Sequence, residues 1–406
     1  MRVLIVGSGG REHALAWKLS QSPLLEELHA APGNPGIAAL GQCHPVRADD
    51  GEGLLGLARA LEIELAVIGP EAPLVAGVAD ELRHAGIAAF GPSAAAARIE
   101  GSKSFAKEVL AAAGVPTATT LTDPRPPCVV KADGLAAGKG VFVCTTQEEL
   151  DAGLAAAAAL GGPLVVEERL EGVELSVFAL TDGSRALPLA AARDYKRLGE
   201  GGTGPNTGGM GAFSPVPPLD ERDVGELVDQ IHRPVLAELA ARRTPFLGLL
   251  YAGLMLTEDG PRVLEFNCRF GDPETQAILP RLDGDLLAAL AAAAGGDLRG
   301  VTVGSTGGAA VTVVLAAGSY PDHPDVGSRI DGVPDAEELG ALVFHAGTAQ
   351  RDGELMTSGG RILNVTGVGS DLEAARARAY EAAAAIAFNG VRYRRDVALE
   401  EARVLG

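Results

Sequence analysis

Residues 2–7, Arg-Val-Leu-Ile-Val-Gly, form an apolar run that stops at glycines and gives way to a helix-like stretch over residues 11–22. Six residues are too few for a buried helix and suit a strand covered on both faces, with the glycines supplying the turn. The unit recurs. Leu-Ala-Val-Ile-Gly at 65–69 reads as a second buried strand, followed by the turn-like PEAPL and a helix near 76–85, then a short strand at 87–90 and a turn at Gly91. Strands alternating with helices up to about residue 100 predict a doubly wound parallel sheet.

The texture changes after Gly101. A helix near 103–113 ends at Gly114-Val115-Pro116. Residues 117–190 are strand-rich (CVVKAD, GVFVCT, PLVVEERL, GVELSVFALTDG), with one alanine-rich helix near 147–159, which suits a small α+β unit. A polar, glycine-rich loop covers 199–211, and helices near 220–242 and 275–294 surround the strands LLYAGLML and RVLEFNCRF. A last unit carries short strands and a helix near 371–388. The 406 residues exceed one compact core. The expected organisation is therefore an α/β and α+β multidomain chain divided at 1–101, 102–325 and 326–406.

A formal charge of −19 excludes a general polyanion-coating protein, so no nucleic-acid partner is expected; an anionic small substrate would need a local pocket of cations. Lysine occurs only at 18, 103, 107, 131, 139 and 196, so each lysine carries information that a common surface residue would not. The four cysteines show no CxxC spacing and read as small buried hydrophobes in a reducing compartment. No run has the length of a membrane span, and the amino terminus reads as a strand rather than a leader, so the expected location is cytoplasmic.

Five motifs carry chemistry. Gly7-Ser8-Gly9-Gly10-Arg11-Glu12 resembles a dinucleotide fingerprint, but Glu12 stands where a third glycine is needed. The segment is either a phosphate site at a helix N-terminus, with Arg11 adding charge, or a tight turn. Lys131-Ala-Asp-Gly-Leu-Ala-Ala-Gly138-Lys139-Gly140 is not a Walker loop, since strands flank it on both sides. It suits a glycine-rich lid over a triphosphate, or a plain hairpin. In Leu264-Glu265-Phe266-Asn267-Cys268-Arg269, strict alternation puts Leu264, Phe266 and Cys268 in the core. It puts Glu265, Asn267 and Arg269 on the other face, as oxygen donors for Mg²⁺ beside an anion clamp, or as a solvated face with a local Glu–Arg pair. Residues 165–176 could form an adenine hinge at Glu167, Glu168 and Leu170 with Glu174 on the ribose, or an amphipathic strand pair. Asp194-Tyr195-Lys196-Arg197 precedes a loop in which main chain around Asn206 and Thr207 can approach a ligand. No triad or zinc-hydrolase spacing appears, and His13 reads as a packing or capping residue.

In this order, VLIVGSGGREHA, PGNPG, VIGPEAPL, GSKSFAK, VVKADGLAAGKGV, VEERLEGVELS, GPNTGGMGAFSP, LEFNCRFGDPETQ, FHAGT and TSGGRILNVT resemble the ATP-grasp ligases, and within them the phosphoribosylamine–glycine ligases, over essentially the whole chain. The resemblance implies an ATP-grasp fold with an N-terminal substrate domain, a mobile ATP-clamping subdomain at 120–190 and a small C-terminal domain. It implies ATP, Mg²⁺ or Mn²⁺, the substrates glycine and 5-phosphoribosylamine, and a monomer. Carried over residue by residue, Glu265 and Asn267 would hold the metal. Lys103, Lys131, Gly138, Lys139 and Gly140 would contact the ATP phosphates, Glu167, Glu168 and Leu170 the adenine, and Glu174 the ribose. Gly9, Gly10, Arg11 and Glu12, with Asn206 and Thr207, would meet the phosphoribosyl substrate. Asp194, Lys196, Arg269 and Asp272 would line the glycine and acyl-phosphate region. The chain departs from the family in Tyr195, where histidine is usual, and in Gly-Glu-Gly-Gly-Thr ahead of GPNTGGMG. Another ATP-grasp enzyme and a nucleotide sensor without turnover are the rival readings.

Overall fold

The apolar runs of the first hundred residues pair as their periodicity dictates. Strands Gln42–Cys43, Glu27–Pro32, Arg2–Gly7, Leu65–Ile68 and Ala88–Phe90 lie side by side in that order, all parallel. The computed structural model describes residues 1–135 and 140–404, with side chains to residue 402. Strand order reverses next to Arg2–Gly7, and at such a switch point the carboxyl ends of the two central strands leave a crevice. Helix Gly10–Leu19 starts at that crevice. The expected turn at PEAPL is instead a helix, Glu71–Ala76, because a proline in the first turn forfeits no intrahelical hydrogen bond.

Three of the antiparallel sheets that follow frame the site. The small lobe has Val141–Cys144, Cys128–Ala132 and Leu164–Glu168, backed by helix Gln147–Ala159. The central sheet has Ala186–Pro188, Val173–Asp182, Leu247–Thr257 and Gly260–Asn267. The third joins Arg193–Asp194, Gly211–Ser214, Ala309–Ala316, Arg361–Gly369 and Leu342–His345, so its strands come from both sides of residue 325. Part of the loop expected at 199–211 is a hairpin, Arg197–Gly199 against Thr203–Asn206.

Two expected helices are interrupted. Between Glu221–Leu227 and Arg233–Ala241 lies a π turn, Val228–His232, just before Pro234, which cannot donate the next helical bond. The second stops at Ile278, passes a 3₁₀ turn containing Pro280 and a left-handed Gly284, and restarts at Leu286–Ala294 under an Asp285 cap. All four cysteines are free; three are buried and Cys43 is half-buried. Among the described residues no helix is long and apolar enough to cross a membrane.

Candidate active site

One face of the central sheet forms the floor. Ladder register sets Ser176 opposite Gly253, and Gly253 opposite Glu265, while Tyr251 stands between Phe178 and Asn267. Residues directly opposed in an antiparallel pair point to the same face, so Glu174, Ser176, Tyr251, Glu265 and Asn267 share one surface. Gly253 leaves room among them, since a Cβ there would stand 3.3 Å from Glu265 Cγ.

The strict alternation expected through Leu264 fails. The ladder pairs Gly253 with Glu265 but Leu254 with Val263, so Leu264 is the extra residue of a β-bulge. Val263 takes the core position, Leu264 is only half-buried, and Phe266 and Cys268 stay in the core. The Leu264 carbonyl instead accepts a hydrogen bond of 2.9 Å from Lys131 Nζ.

Lysines gather at one end of this floor. Lys131, on Cys128–Ala132, and Lys107, one turn after Lys103 on helix Lys103–Ala113, both pair with the buried carboxylate of Glu167, at 2.6 and 2.8 Å. Lys103 Nζ donates to the Gly134 carbonyl at 3.0 Å, and its amide donates to the Asp133 carboxylate that caps the helix. Burial pushes the Lys103 and Lys107 ammonium groups down, against the pull of Glu265 on the first and Glu167 on the second. Two lysines thus share one carboxylate with Lys103 close to Lys131, a concentration of positive charge suited to phosphates. Gly140 is buried beside Lys131, and its carbonyl accepts the Ala132 amide at 2.8 Å. Gly138 and Lys139 lie outside the described residues. Glu167 is engaged by lysines, and Glu168 accepts the Thr119 amide and hydroxyl, both at 2.8 Å. Past the strand, Arg169 and Leu170 make no main-chain hydrogen bond among the described residues, which leaves peptide groups for a base edge.

Carboxylates gather at the other end. Lys196 Nζ bonds Glu174 and lies 3.9 Å from Glu265 Oε1. Burial alone would lower the Lys196 ammonium, but Asp194, Glu174 and Glu265 raise it well above its usual range. Burial raises the Asp194 carboxyl, and Glu274, Glu174 and Glu265 raise it further against Lys196. Glu265 moves down: burial opposes its charge, but Lys196, Lys131 and Lys103 outweigh it. The Asn267 side chain makes no hydrogen bond among the described residues. Beneath them the Tyr251 hydroxyl donates to Glu274 Oε1 at 2.9 Å and shares a 2.8 Å bond with Ser176 Oγ. Thr207 is buried, and its hydroxyl donates to the Lys196 carbonyl at 2.8 Å; Asn206 Nδ2 reaches the Val141 carbonyl of the small lobe at 3.4 Å.

The crevice at the switch point is the third region. Glu12 turns back under the glycine loop, accepting the Gly9 amide at 2.5 Å and Arg11 Nε at 2.6 Å. Its side chain fills the space where Gly7, Gly9 and Gly69 have no Cβ: added atoms would stand 2.6, 2.8 and 2.1 Å from it. Arg11 NH1 is held by the Phe270 carbonyl at 3.0 Å. The Asp272 carboxylate meets the Arg11 amide at 3.3 Å, Gln276 at 3.0 Å and Arg361 at 3.3 Å. Burial would raise this carboxyl; Arg361 and Arg11 hold it down. Gly10 packs against the amides of Gln276 and Asn364, whose buried oxygens have no partner among the described residues. Arg269 is gripped by Glu71 at 3.1 Å and Glu100 at 3.2 Å, so the local pair with Glu265 does not form.

Family models match almost end to end: the phosphoribosylglycinamide synthetase N domain over 1–100, its ATP-grasp (A) domain over 101–275 and its C domain over 310–400. The chain belongs to the phosphoribosylglycinamide synthetase family. It is 49% identical over 418 residues to the phosphoribosylamine–glycine ligase of Streptomyces coelicolor, covering 99% of this chain and 100% of that one. It is 48% identical over 415 residues to the ligase of Brucella melitensis, covering 98% and 97%. The crystal structure of the Thermotoga maritima phosphoribosylamine–glycine ligase superposes with a TM-score of 0.85 at 36% identity, over 98% of this chain and 100% of that one.

Within this ATP-grasp synthetase scaffold, the structure brings Lys103, Lys131, Glu174, Asp194, Lys196, Glu265 and Asn267 around one floor. Gly9, Gly10, Arg11, Glu12 and Asp272 lie at the crevice, joined to the floor through Arg269 and the 270–274 turn. Sequence reasoning missed Lys107, Ser176, Tyr251, Glu274 and Arg361. Lysine scarcity and the i, i+4 spacing from Lys103 could have flagged Lys107. The other four are ordinary core or surface residues in a linear reading.

Proposed function

We propose that this chain joins glycine to 5-phosphoribosylamine at the expense of ATP, giving glycinamide ribonucleotide, ADP and phosphate. The observation that carries the reading is the placement of a lysine-rich end and a carboxylate-rich end on one sheet floor, beside a capped helix N-terminus in a topological crevice. A glycine carboxylate oxygen attacks the γ-phosphorus of ATP and ADP leaves, forming glycyl phosphate. The phosphoribosylamine nitrogen then attacks the acyl carbon, phosphate leaves, and the nitrogen gives up a proton. Positioning and charge neutralisation dominate such a step, and no protein nucleophile is required.

Lys103, Lys107 and Lys131 neutralise the phosphates, and Arg169 to Leu170 offer main chain to the adenine. Lys196 holds the carboxylate and developing acyl phosphate. Asp194, raised toward neutrality by burial and further by its carboxylate neighbours, suits holding the amine proton. The phosphoribosyl group lies at Gly9–Arg11, where Glu12 and Asp272 shape the loop from beneath. Glu265 and Asn267 supply hard oxygen donors fitted to Mg²⁺ or Mn²⁺, which when bound neutralises charge between phosphate oxygens. Among the described residues no three His, Cys, Asp or Glu side chains converge as a closed cage, so Glu265 and Asn267 would hold the ion together with oxygens of the nucleotide. Segment 120–190 closes on ATP, and the chain works as a cytoplasmic monomer on small molecules.

The test is phosphate release from MgATP with glycine and phosphoribosylamine made in place from ribose 5-phosphate and ammonia, omitting each component in turn. Release that needs all three, with glycinamide ribonucleotide seen by mass, is the expected result. Release indifferent to glycine would point to another carboxylate, and nucleotide binding without release would refute catalysis.

A further inference from the structure

Residues 193–196 alternate between two environments. Asp194 and Lys196 face the carboxylate end of the floor, while Arg193 and Tyr195 leave on the opposite side. Within its sheet Arg193–Asp194 is an edge, pairing only with Gly211–Ser214, while Ala192 just before it bridges Ser176 of the central sheet at 2.8 and 3.0 Å. From Tyr195 onward, three main-chain bonds tie the stretch to residues 207–211: Tyr195 donates to Gly211 at 2.9 Å, Met210 donates to Tyr195 at 2.8 Å and Thr207 donates to Lys196 at 2.8 Å.

Its outward side chains are held by residues 394–401. The Tyr195 hydroxyl accepts the Ala398 amide at 2.8 Å and donates to Glu401 Oε2 at 3.3 Å. The other oxygen of Glu401 pairs with Arg193 at 2.6 Å. The Arg394 guanidinium lies 4.7 Å from the centre of the Tyr195 ring, donates to the Arg197 carbonyl at 3.0 Å and pairs with Asp396 at 2.6 Å. Asp396 and Glu200 extend the contact, accepting the Gly201 and Arg395 amides at 2.8 and 3.2 Å. Tyr195 thus touches three points of this segment, Arg394, Ala398 and Glu401. None of these contacts reaches the lysines at the nucleotide end.

We propose that Tyr195 is a positioning residue: docked on segment 394–401, it fixes the edge strand so that Asp194 and Lys196 present a set geometry to the glycine carboxylate and its acyl phosphate. This rests on the reading that Asp194 and Lys196 line that region. Past the Ala192–Ser176 bridge, residues 193–196 have a ladder neighbour on one side only and can shift against it, and a reacting group displaced by about 1 Å loses roughly a hundredfold in rate. The docking therefore acts directly on the glycine half of the reaction and reaches the ATP half only through the contacts of Lys196 with Glu174 and Glu265.

Tyr195→Phe removes the hydroxyl and keeps the ring over Arg394; Glu401→Gln keeps the tyrosine and removes the ion pair. In the full chain, each is expected to lower kcat/KM for glycine by about 10- to 100-fold while the KM for ATP stays within about twofold. Amide exchange should quicken over 193–211 and remain unchanged over 128–135 and 140–168. Unchanged glycine kinetics in both variants would overturn the proposal. So would a parallel rise in both KM values with faster exchange throughout, since that marks general loosening. Lys196→Ala separates the two readings. Full turnover in that variant would refute the placement of the strand at the site. A dead Lys196→Ala beside an unaffected Tyr195→Phe would sink the positioning role alone.

Discussion

Gly69→Ala tests how the crevice is built. The Gly69 backbone has no positive φ, so alanine meets no strain there and the effect is purely steric. Its Cβ would stand 2.1 Å from Glu12 Oε1 and 2.6 Å from Cδ and Cγ, well inside contact distance. A free glutamate would swing aside, but Glu12 is only 2% exposed and is tied to Gly9 and Arg11. Displacing it breaks two hydrogen bonds to a charged, buried group. At roughly 1.5–3 kcal/mol each, with some relaxation, the loss is about 3–5 kcal/mol. A multidomain chain need not unfold in one step, so native-state amide exchange is the better assay. Protection of the Val3–Val6 amides should fall by about two to three orders of magnitude, since each 1.4 kcal/mol is roughly tenfold. The KM for phosphoribosylamine should rise and that for ATP should hold. A cycle with Glu12→Ala decides the cause: once the side chain is gone, Gly69→Ala should add almost nothing. Additive effects, or unchanged protection in the single variant, would refute the steric argument.

Three further outcomes are expected. Glu167→Gln should destabilise the nucleotide-free chain by about 3–5 kcal/mol, because it leaves two largely buried lysines facing an amide; an unchanged thermal transition would show that water already screens them. Glu265→Ala should leave the fold intact, as that side chain is 37% exposed, yet lose most of the turnover; a near-normal rate under saturating Mg²⁺ would remove it from the metal site. Burial holds His13 down to about 3, with His345 adding to the shift, and holds His345 and His232 down to about 4. In the unfolded chain these groups titrate near 6.5, so the unfolded state takes up protons first as pH falls and stability is lost below that value. From pH 7.5 to 5.5 the three together remove roughly 4 kcal/mol, and denaturation midpoints that stay flat over this range would contradict it.

Much of the fold was legible in the linear pattern. The alternation over 2–7, 65–69 and 87–90 predicts the parallel sheet because strands buried on both faces must be continuously apolar. Helix Lys103–Ala113 and helix Gln147–Ala159 fall where expected, each with a hydroxyl cap before it. Regular periodicity misled where one residue broke it. The bulge at Leu264 shifts the phase of its strand, and the residues around Pro234 and Pro280 break helices whose apolar pattern runs on.

The candidate site divides along the same line. Local spacing was enough to single out Glu265 with Asn267, because residues two apart on a strand share a face whatever it packs against, and lysine scarcity marked Lys131, whereas Asp194 and Lys196 came from the family resemblance. Glu12 was visible as the residue barring a dinucleotide fingerprint. That it fills the crevice from below depends on Gly69, more than fifty positions away. Glu167 reads as one more acidic residue until Lys107 and Lys131 meet it from two elements. Tyr195 reads as a departure inside the site until residues 394–401 hold it on the other side of the strand. Sequence by itself determined which side chains are available and which face of its own element each one takes, since backbone geometry repeats every two or 3.6 residues. Only the tertiary structure decided which distant charges become partners. Ion pairs and hydrogen bonds act over a few ångströms, and chain folding alone brings such residues within that range.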